Sequence, residues 1–287
     1  MKARRLMGTL VLVMALVFGI VGTAAPQAAA RTETKKLTMI VGEKYGYKAI
    51  IGRFTSASTS KKSVVKVKKT SAAVTFTAKK AGKATVTARM TGGTVYRFVI
   101  TVKKLKIQAK YSIGVTQGYS NITSNIVFEF TNKTGVFLPS ATFNVSLINA
   151  AGEVVKTEKI LASDLVQGTK VYRWTSYYGA DAIVNVKVAK KVDVSSHNPT
   201  AKYLNMTKKV NVSVSDNGSS YSVRFKNKTK KSVSAYACFV FYDENGNVMT
   251  TYQASAYLTS KGVYTYTLTK PTGAASYKMY KRACARG

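Results

Sequence analysis

The chain has 287 residues, of which 46% are hydrophobic and 20% charged, with 45 Lys plus Arg against 11 Asp plus Glu and a formal net charge of +34. This is too apolar for a disordered chain and long enough for two or three small domains, each with its own core. A single His, one Trp and two Cys leave little material for metal or triad chemistry, which needs several such groups in one place.

Residues 1–30 have the three parts of a signal peptide. Lys2, Arg4 and Arg5 form a basic start, Leu6 to Val21 an apolar run, and Ala28-Ala29-Ala30 a small-residue cleavage site before Arg31. The apolar run is short for a membrane span of about 20 residues. No cysteine follows it for lipid attachment. The expected mature protein is exported, and soluble or held at a surface by noncovalent contacts.

From residue 31 to residue 104 the pattern is short strands cut by turns. Leu37 to Val41, Tyr47 to Ile51, Ser63 to Val67, Val74 to Ala78, Ala84 to Arg89 and Tyr96 to Val102 each alternate apolar and polar residues or are rich in β-formers. Six or seven strands in about seventy residues suit a β-sandwich. The run Phe76-Thr77-Ala78-Lys79-Lys80-Ala81-Gly82-Lys83-Ala84-Thr85-Val86-Thr87-Ala88 resembles the signature of the bacterial Ig-like domain, group 2. Leu37 to Gly42 fits its opening strand, and Ser63 to Val67 the strand before the signature. The resemblance covers roughly residues 35–104 and departs from the family in its crowd of lysines between Lys61 and Lys83. It implies a spacer or adhesive module on a secreted or surface protein, and names no ligand.

The remainder is a duplication. Gly152, Gly168 and Gly179 recur 94 residues later as Gly246, Gly262 and Gly273, and Phe130-Thr131-Asn132-Lys133-Thr134 returns at 95 as Phe225-Lys226-Asn227-Lys228-Thr229. A repeat of this size means two copies of one domain, assigned to residues 105–198 and 199–287. Alternation turns Phe143, Val145 and Leu147 inward in the first copy, and Ala237, Phe239 and Phe241 in the second. The strand and turn from Phe239 to Gly246 resemble the motif of FxLYD-type extracellular β-sandwich domains, with Phe241 where the motif has Leu and no Tyr-Asp pair in the earlier copy. The expected architecture is all-β, as tandem Ig-like sandwiches, with residues 195–200 linking the copies.

No catalytic set, cofactor site or metal site is expected. His197 stands alone in the linker, and the acidic residues are dispersed except for Asp243-Glu244. The Asp243 to Asn247 segment reads as an Asn-Gly hairpin turn rather than a calcium loop, because the distal acid that such a loop needs is missing. Cys238 and Cys284 are the only cysteines. Export permits a disulfide between them, closing the last strand onto the sheet, with two unpaired thiols as the alternative. Nine of the eighteen tyrosines fall between Tyr221 and Tyr280 among lysines, as ordinary strand residues or as stacking surfaces. The seven Asn-x-Ser/Thr triplets receive no role.

Charge is the strongest signal. Beyond residue 30 the net charge is +31, divided as +16 over residues 31–105, +4 over 106–199 and +11 over 200–287. Lys61, Lys62, Lys66, Lys68, Lys69, Lys79, Lys80 and Lys83 crowd one segment, and hairpins would gather them into an anion-binding surface. The expected role is a secreted, non-enzymatic cell-surface protein, adhesive or structural, retained on an anionic cell-wall polymer or another polyanion. A passive spacer and an accessory module of a secreted enzyme are the other two readings. Lysines that only keep strand edges soluble would serve either of them.

Overall fold

The computed structural model describes residues 31–195 and 197–287. The expected signal peptide lies outside these residues. The described chain is almost entirely strand, with one 3-10 turn at Thr207–Lys209. Its strands form six sheets, paired into three sandwiches that follow one another along the sequence.

The first sandwich contains β1 (Thr32–Ile40), β2 (Lys44–Lys48), β3 (Phe54–Thr59), β4 (Val65–Lys69), β5 (Ala73–Ala78), β6 (Gly82–Met90) and β7 (Val95–Lys103). One sheet has the order β1-β7-β6-β3, with β1 parallel to β7, and the other has the order β2-β5-β4. Alternation explains the layering. Val74 and Phe76 on β5, Val86 on β6 and Phe98 and Ile100 on β7 are buried between the sheets. Phe76 and Phe98 meet with ring centroids 4.8 Å apart. Each such side chain withdrawn from water contributes on the order of 1.5–3 kcal/mol.

One expected strand is cut short. Tyr47 to Ile51 reads as a single strand, but β2 ends at Lys48, and Ile50 and Ile51 stand in a loop at 96% and 86% exposure. Gly52, at φ +81°, turns the chain there, in a region that glycine enters without strain.

The second sandwich comprises β8 (Ile107–Gln117), β9 (Ile122–Asn132), β10 (Leu138–Asn149), β11 (Val154–Leu165), β12 (Lys170–Gly179) and β13 (Ile183–Ser195). The third comprises β14 (Tyr203–Asn205), β15 (Val210–Asp216), β16 (Ser220–Asn227), β17 (Val233–Tyr242), β18 (Val248–Leu258), β19 (Val263–Thr269) and β20 (Ser276–Arg286). The duplication reappears as topology. Sheets β11-β10-β13 and β12-β9-β8 recur as β18-β17-β20 and β19-β16-β15, with the short β14 added beside β20. Phe143, Val145, Leu147, Ala237, Phe239 and Phe241 all lie in the cores, as alternation requires.

The repeated Asn-Lys-Thr turn has a common construction. The fully buried Asn132 donates from Nδ2 to the carbonyls of Val136 (2.8 Å) and Leu165 (2.7 Å), and its Oδ1 accepts from the Thr134 amide at 2.9 Å. Asn227 repeats this with the carbonyls of Lys231 (2.8 Å) and Thr259 (2.7 Å) and the Thr229 amide (2.9 Å). These two triplets therefore serve the fold. The Asp243 segment is a hairpin turn, with Asp243 Oδ1 accepting from the amides of Asn245 and Asn247 and Gly246 at φ +77°.

The second and third sandwiches pack on each other through outer sheet faces. Val127 on β9 and Tyr172 on β12 bury against Cys238 and Val240 on β17 and Val248 on β18. Tyr172 stacks on Tyr280 at 4.2 Å. Gly114 on β8 lets the backbone of Val248 approach, since a Cβ there would lie 2.2 Å from the Val248 carbonyl oxygen. Arg282, 1% exposed, crosses the seam. Its Nε donates to the Asp164 carbonyl at 3.1 Å and its Nη2 to Gln253 Oε1 at 2.8 Å, and it stacks on Tyr236.

The expected disulfide is absent, and the register gives the reason. Cys284 on β20 lies opposite Ser234 of β17, while Cys238 lies opposite Tyr280. The two cysteines are thus offset by four residues, roughly 13 Å along the strands. A bridge needs Cα atoms within about 7 Å. Both are buried free thiols, and burial pushes each up to about 11.

The segment between the copies is tied to the first sandwich. His197, its side chain 7% exposed, bonds through Nδ1 to Glu43 Oε1 at 2.7 Å. Glu43 Oε2 accepts from the Ile40 amide at 2.8 Å, and the Thr38 amide donates to the Pro199 carbonyl at 2.9 Å. Ile40 itself packs into the core cluster of the second sandwich.

Candidate functional site

All eight lysines singled out in the sequence are exposed. Sheet geometry sorts them. On β4, Val65 and Val67 turn toward the core, so Lys66 and Lys68 point out. Their neighbours follow from the register. Lys66 sits beside Thr77 of β5, and Thr77 beside Lys44 of β2; Lys68 sits beside Thr75, and Thr75 beside Gly46, with Lys48 beyond. The outer face of this sheet thus carries one complete row, Lys44-Thr77-Lys66, with Lys68 and Thr75 beside Gly46 in the next and Lys48 beside Ala73 beyond it. Strands lie about 4.8 Å apart and alternate residues about 6.7 Å apart, so the neighbouring lysines leave the sheet at points roughly 7–10 Å from one another. Lys44 and Lys48 were not among the lysines picked from the sequence. They lie 17 and 13 residues before Lys61, where that cluster begins, and only the β2-β5-β4 pairing joins them to it.

The turns at one end add further charge. The Val64 carbonyl accepts from the amides of Lys79 (2.8 Å) and Lys80 (3.4 Å), which holds the turn after β5 against the turn containing Lys61 and Lys62. Gly82, at φ +150°, fits closely over Val64, where a Cβ would lie 3.2 Å from its Cγ2. A groove between the edges of β3 and β4 collects Lys62, Lys66 and Lys79 over Ala57 and Val67. Two lysines of the eight are elsewhere. Lys69 donates to the Phe54 carbonyl at 3.2 Å. Lys83, second residue of β6, lies beside Thr101 on the other sheet.

That second sheet has a polar outer face of its own. Thr85, Thr87 and Arg89 on β6 stand beside Val99, Arg97 and Val95 on β7. Ser56 and Ser58 on β3 continue the rows on one side, and Thr32, Thr34 and Lys36 on β1 on the other. It combines hydroxyls and cations.

Neutralising groups are scarce. The only carboxylates between residues 31 and 105 are Glu33 and Glu43. Glu33 lies 3.7 Å from Arg31 and 3.6 Å from Lys35, and Glu43 is held by His197. None of the eight lysines, nor Lys44 or Lys48, joins an ion pair among the described residues. Two like charges about 8 Å apart in water repel by roughly 0.5 kcal/mol. The face therefore carries a small standing repulsion that an anionic ligand would relieve. Among the described residues no group of three or more His, Cys, Asp or Glu is placed to hold a metal ion. No described helix is long and apolar enough to cross a membrane.

No family model matches the chain, and no curated protein matches it. Among solved structures, a tetra-tandem repeat from the extending region of a large adhesion protein is similar at 10% identity and TM-score 0.18, over 88% of this chain and 74% of that one. Dimeric latent PorU from Porphyromonas gingivalis is similar at 10% identity and TM-score 0.17, over 86% of this chain and 32% of that one. Neither likeness bears on activity or partners.

Proposed function

We propose that this chain is an exported, non-enzymatic surface protein of adhesive or structural type, whose first sandwich holds it to an anionic polymer of the cell envelope. One observation carries the reading: Lys44, Lys48, Lys66 and Lys68 share the β2-β5-β4 face with Thr75 and Thr77, and among the described residues none of these lysines has a carboxylate partner. A sheet face of spaced cations with hydroxyls among them suits a polymer with repeating phosphates, and it requires no pocket. The signal-peptide pattern of residues 1–30 and the resemblance of residues 35–104 to the bacterial Ig-like domain, group 2, support the setting. The two packed sandwiches that follow present the basic module as a stalk would.

The test is co-sedimentation of the protein with purified cell walls, before and after removal of wall teichoic acid. Retention that falls on removal supports the reading. Retention that stays the same, or is absent in both samples, leaves a passive spacer in its place.

A further inference from the structure

The polymer reading leaves one feature of the first sandwich unused: an apolar tip at the end remote from the second sandwich. Ile50 and Ile51 lie side by side at 96% and 86% exposure in the loop between β2 and β3. Single exposed apolar residues are ordinary, but two adjacent branched aliphatics at a loop apex are not. Their strand-like sequence makes the exposure more telling, since a break with the local rule is expected at functional sites.

The tip is supported from below. The Arg53 amide donates to Thr91 Oγ1 at 3.1 Å, and the Thr91 amide to the Arg53 carbonyl at 2.9 Å. The amides of Ala49 and Phe54 donate to the carbonyls of Ala72 and Ser71 at 2.9 and 2.8 Å. Exposed cations surround the base: Lys48 ends β2, Arg53 closes the loop, and Lys69 bonds to the Phe54 carbonyl. The one carboxylate at this end, Glu33, is held by Arg31 and Lys35. The chain also enters the fold here, since the Val95 amide donates to the Arg31 carbonyl at 2.9 Å.

We propose that the Ile50–Ile51 loop inserts into the surface of an anionic lipid bilayer while Lys48, Arg53 and Lys69 meet its headgroups. Charge complementarity favours an anionic membrane: Lys48, Arg53 and Lys69 ring the apolar tip, and the one carboxylate near it, Glu33, is already paired. Apolar side chains with flanking cations are the usual chemistry of interfacial binding. Each buried isoleucine is worth about tenfold in partitioning and each cation about fivefold. The inference shares Lys48 with the polymer reading but rests on Ile50 and Ile51, which that reading does not use.

The test uses the chain from Arg31 onward, which contains every described strand, and vesicles of phosphatidylcholine with or without phosphatidylglycerol. Flotation should recover it with the anionic vesicles, and I50S/I51S should weaken that partitioning by about a hundredfold with an unchanged melting temperature. In a Trp174→Phe background, I51W should blue-shift on binding and be quenched by brominated acyl chains. Three results would each overturn the proposal: no binding to anionic vesicles, equal binding by I50S/I51S, or a dimer in solution that the same double substitution abolishes.

Discussion

Replacing Gly114 with Ala tests whether the second and third sandwiches form one body. The added methyl would lie 2.2 Å from the carbonyl oxygen, 2.9 Å from the nitrogen and 3.1 Å from the carbonyl carbon of Val248, all backbone atoms on β18. Ordinary carbon–oxygen contact is near 3.3 Å, so β8 and β18 must separate by about 1 Å. A gap of that size forfeits up to about half the dispersion between facing atoms. The atoms concerned belong to Val127, Tyr172, Cys238, Val240 and Val248. Overpacking of this kind costs about 1–3 kcal/mol. In a unit of this length that corresponds to a fall of about 3–10 °C in melting temperature. The sign is diagnostic, because Gly→Ala in an unconstrained strand stabilises by about 0.5–1 kcal/mol. Differential scanning calorimetry, with small-angle scattering for the separation, reads the result. A melting temperature that is unchanged or higher would refute the packed seam.

Asn132→Ala removes three hydrogen bonds at a buried turn and Asn227→Ala four, and each strands two carbonyls; each should cost about 2–4 kcal/mol in chemical denaturation, and a loss below 0.5 kcal/mol would contradict the staple. Native protein should yield two thiols only on unfolding, and reductant should leave its melting temperature unchanged; a single oxidised pair would contradict the register of β17 and β20. Burial raises Cys238 and Cys284 from an ordinary value near 9 to about 11, so the folded state holds more protons in that window, and stability present below pH 9 should be lost as pH rises to 11, less steeply in Cys238→Ala. His197→Ala frees the link to Glu43 and should speed proteolysis between residues 195 and 202; an unchanged cleavage rate would show that the Thr38–Pro199 bond holds the segment alone.

Much of the fold was legible because β-structure writes its faces at period two. The core positions on β10 and β17 follow directly from alternation, and the second core follows from the first by the repeat. The seam between the copies left a trace in the sequence that alternation alone does not interpret. β17 is apolar at both parities, with Cys238 and Val240 turned away from Ala237, Phe239 and Phe241. A strand apolar on both faces is buried on both faces. The cysteine pairing failed because parity puts two residues on one face without fixing their distance along it. His197 looked idle because its partner, Glu43, is 154 residues away. In the candidate site, the local density of lysine pointed to Lys66 and Lys68. Lys44 and Lys48 join them only through strand pairing; Lys69 leaves the group because it shares the parity of the inward Val65 and Val67, and Lys83 because its strand belongs to the other sheet.

The central claim is that a particular face, and not net charge, holds the anionic polymer. The direct measurement compares two sets of four neutralisations that change the net charge equally. K44Q/K48Q/K66Q/K68Q empties the β2-β5-β4 face, while K226Q/K228Q/K230Q/K231Q removes four exposed lysines from the third sandwich. Affinity for purified wall phosphate polymer is read across a salt series. Each lost phosphate contact should lower the slope of log affinity against log salt by about one. The account predicts a shallower slope and a large loss of affinity for the first set, and near wild-type behaviour for the second. Equal losses from the two sets would contradict it.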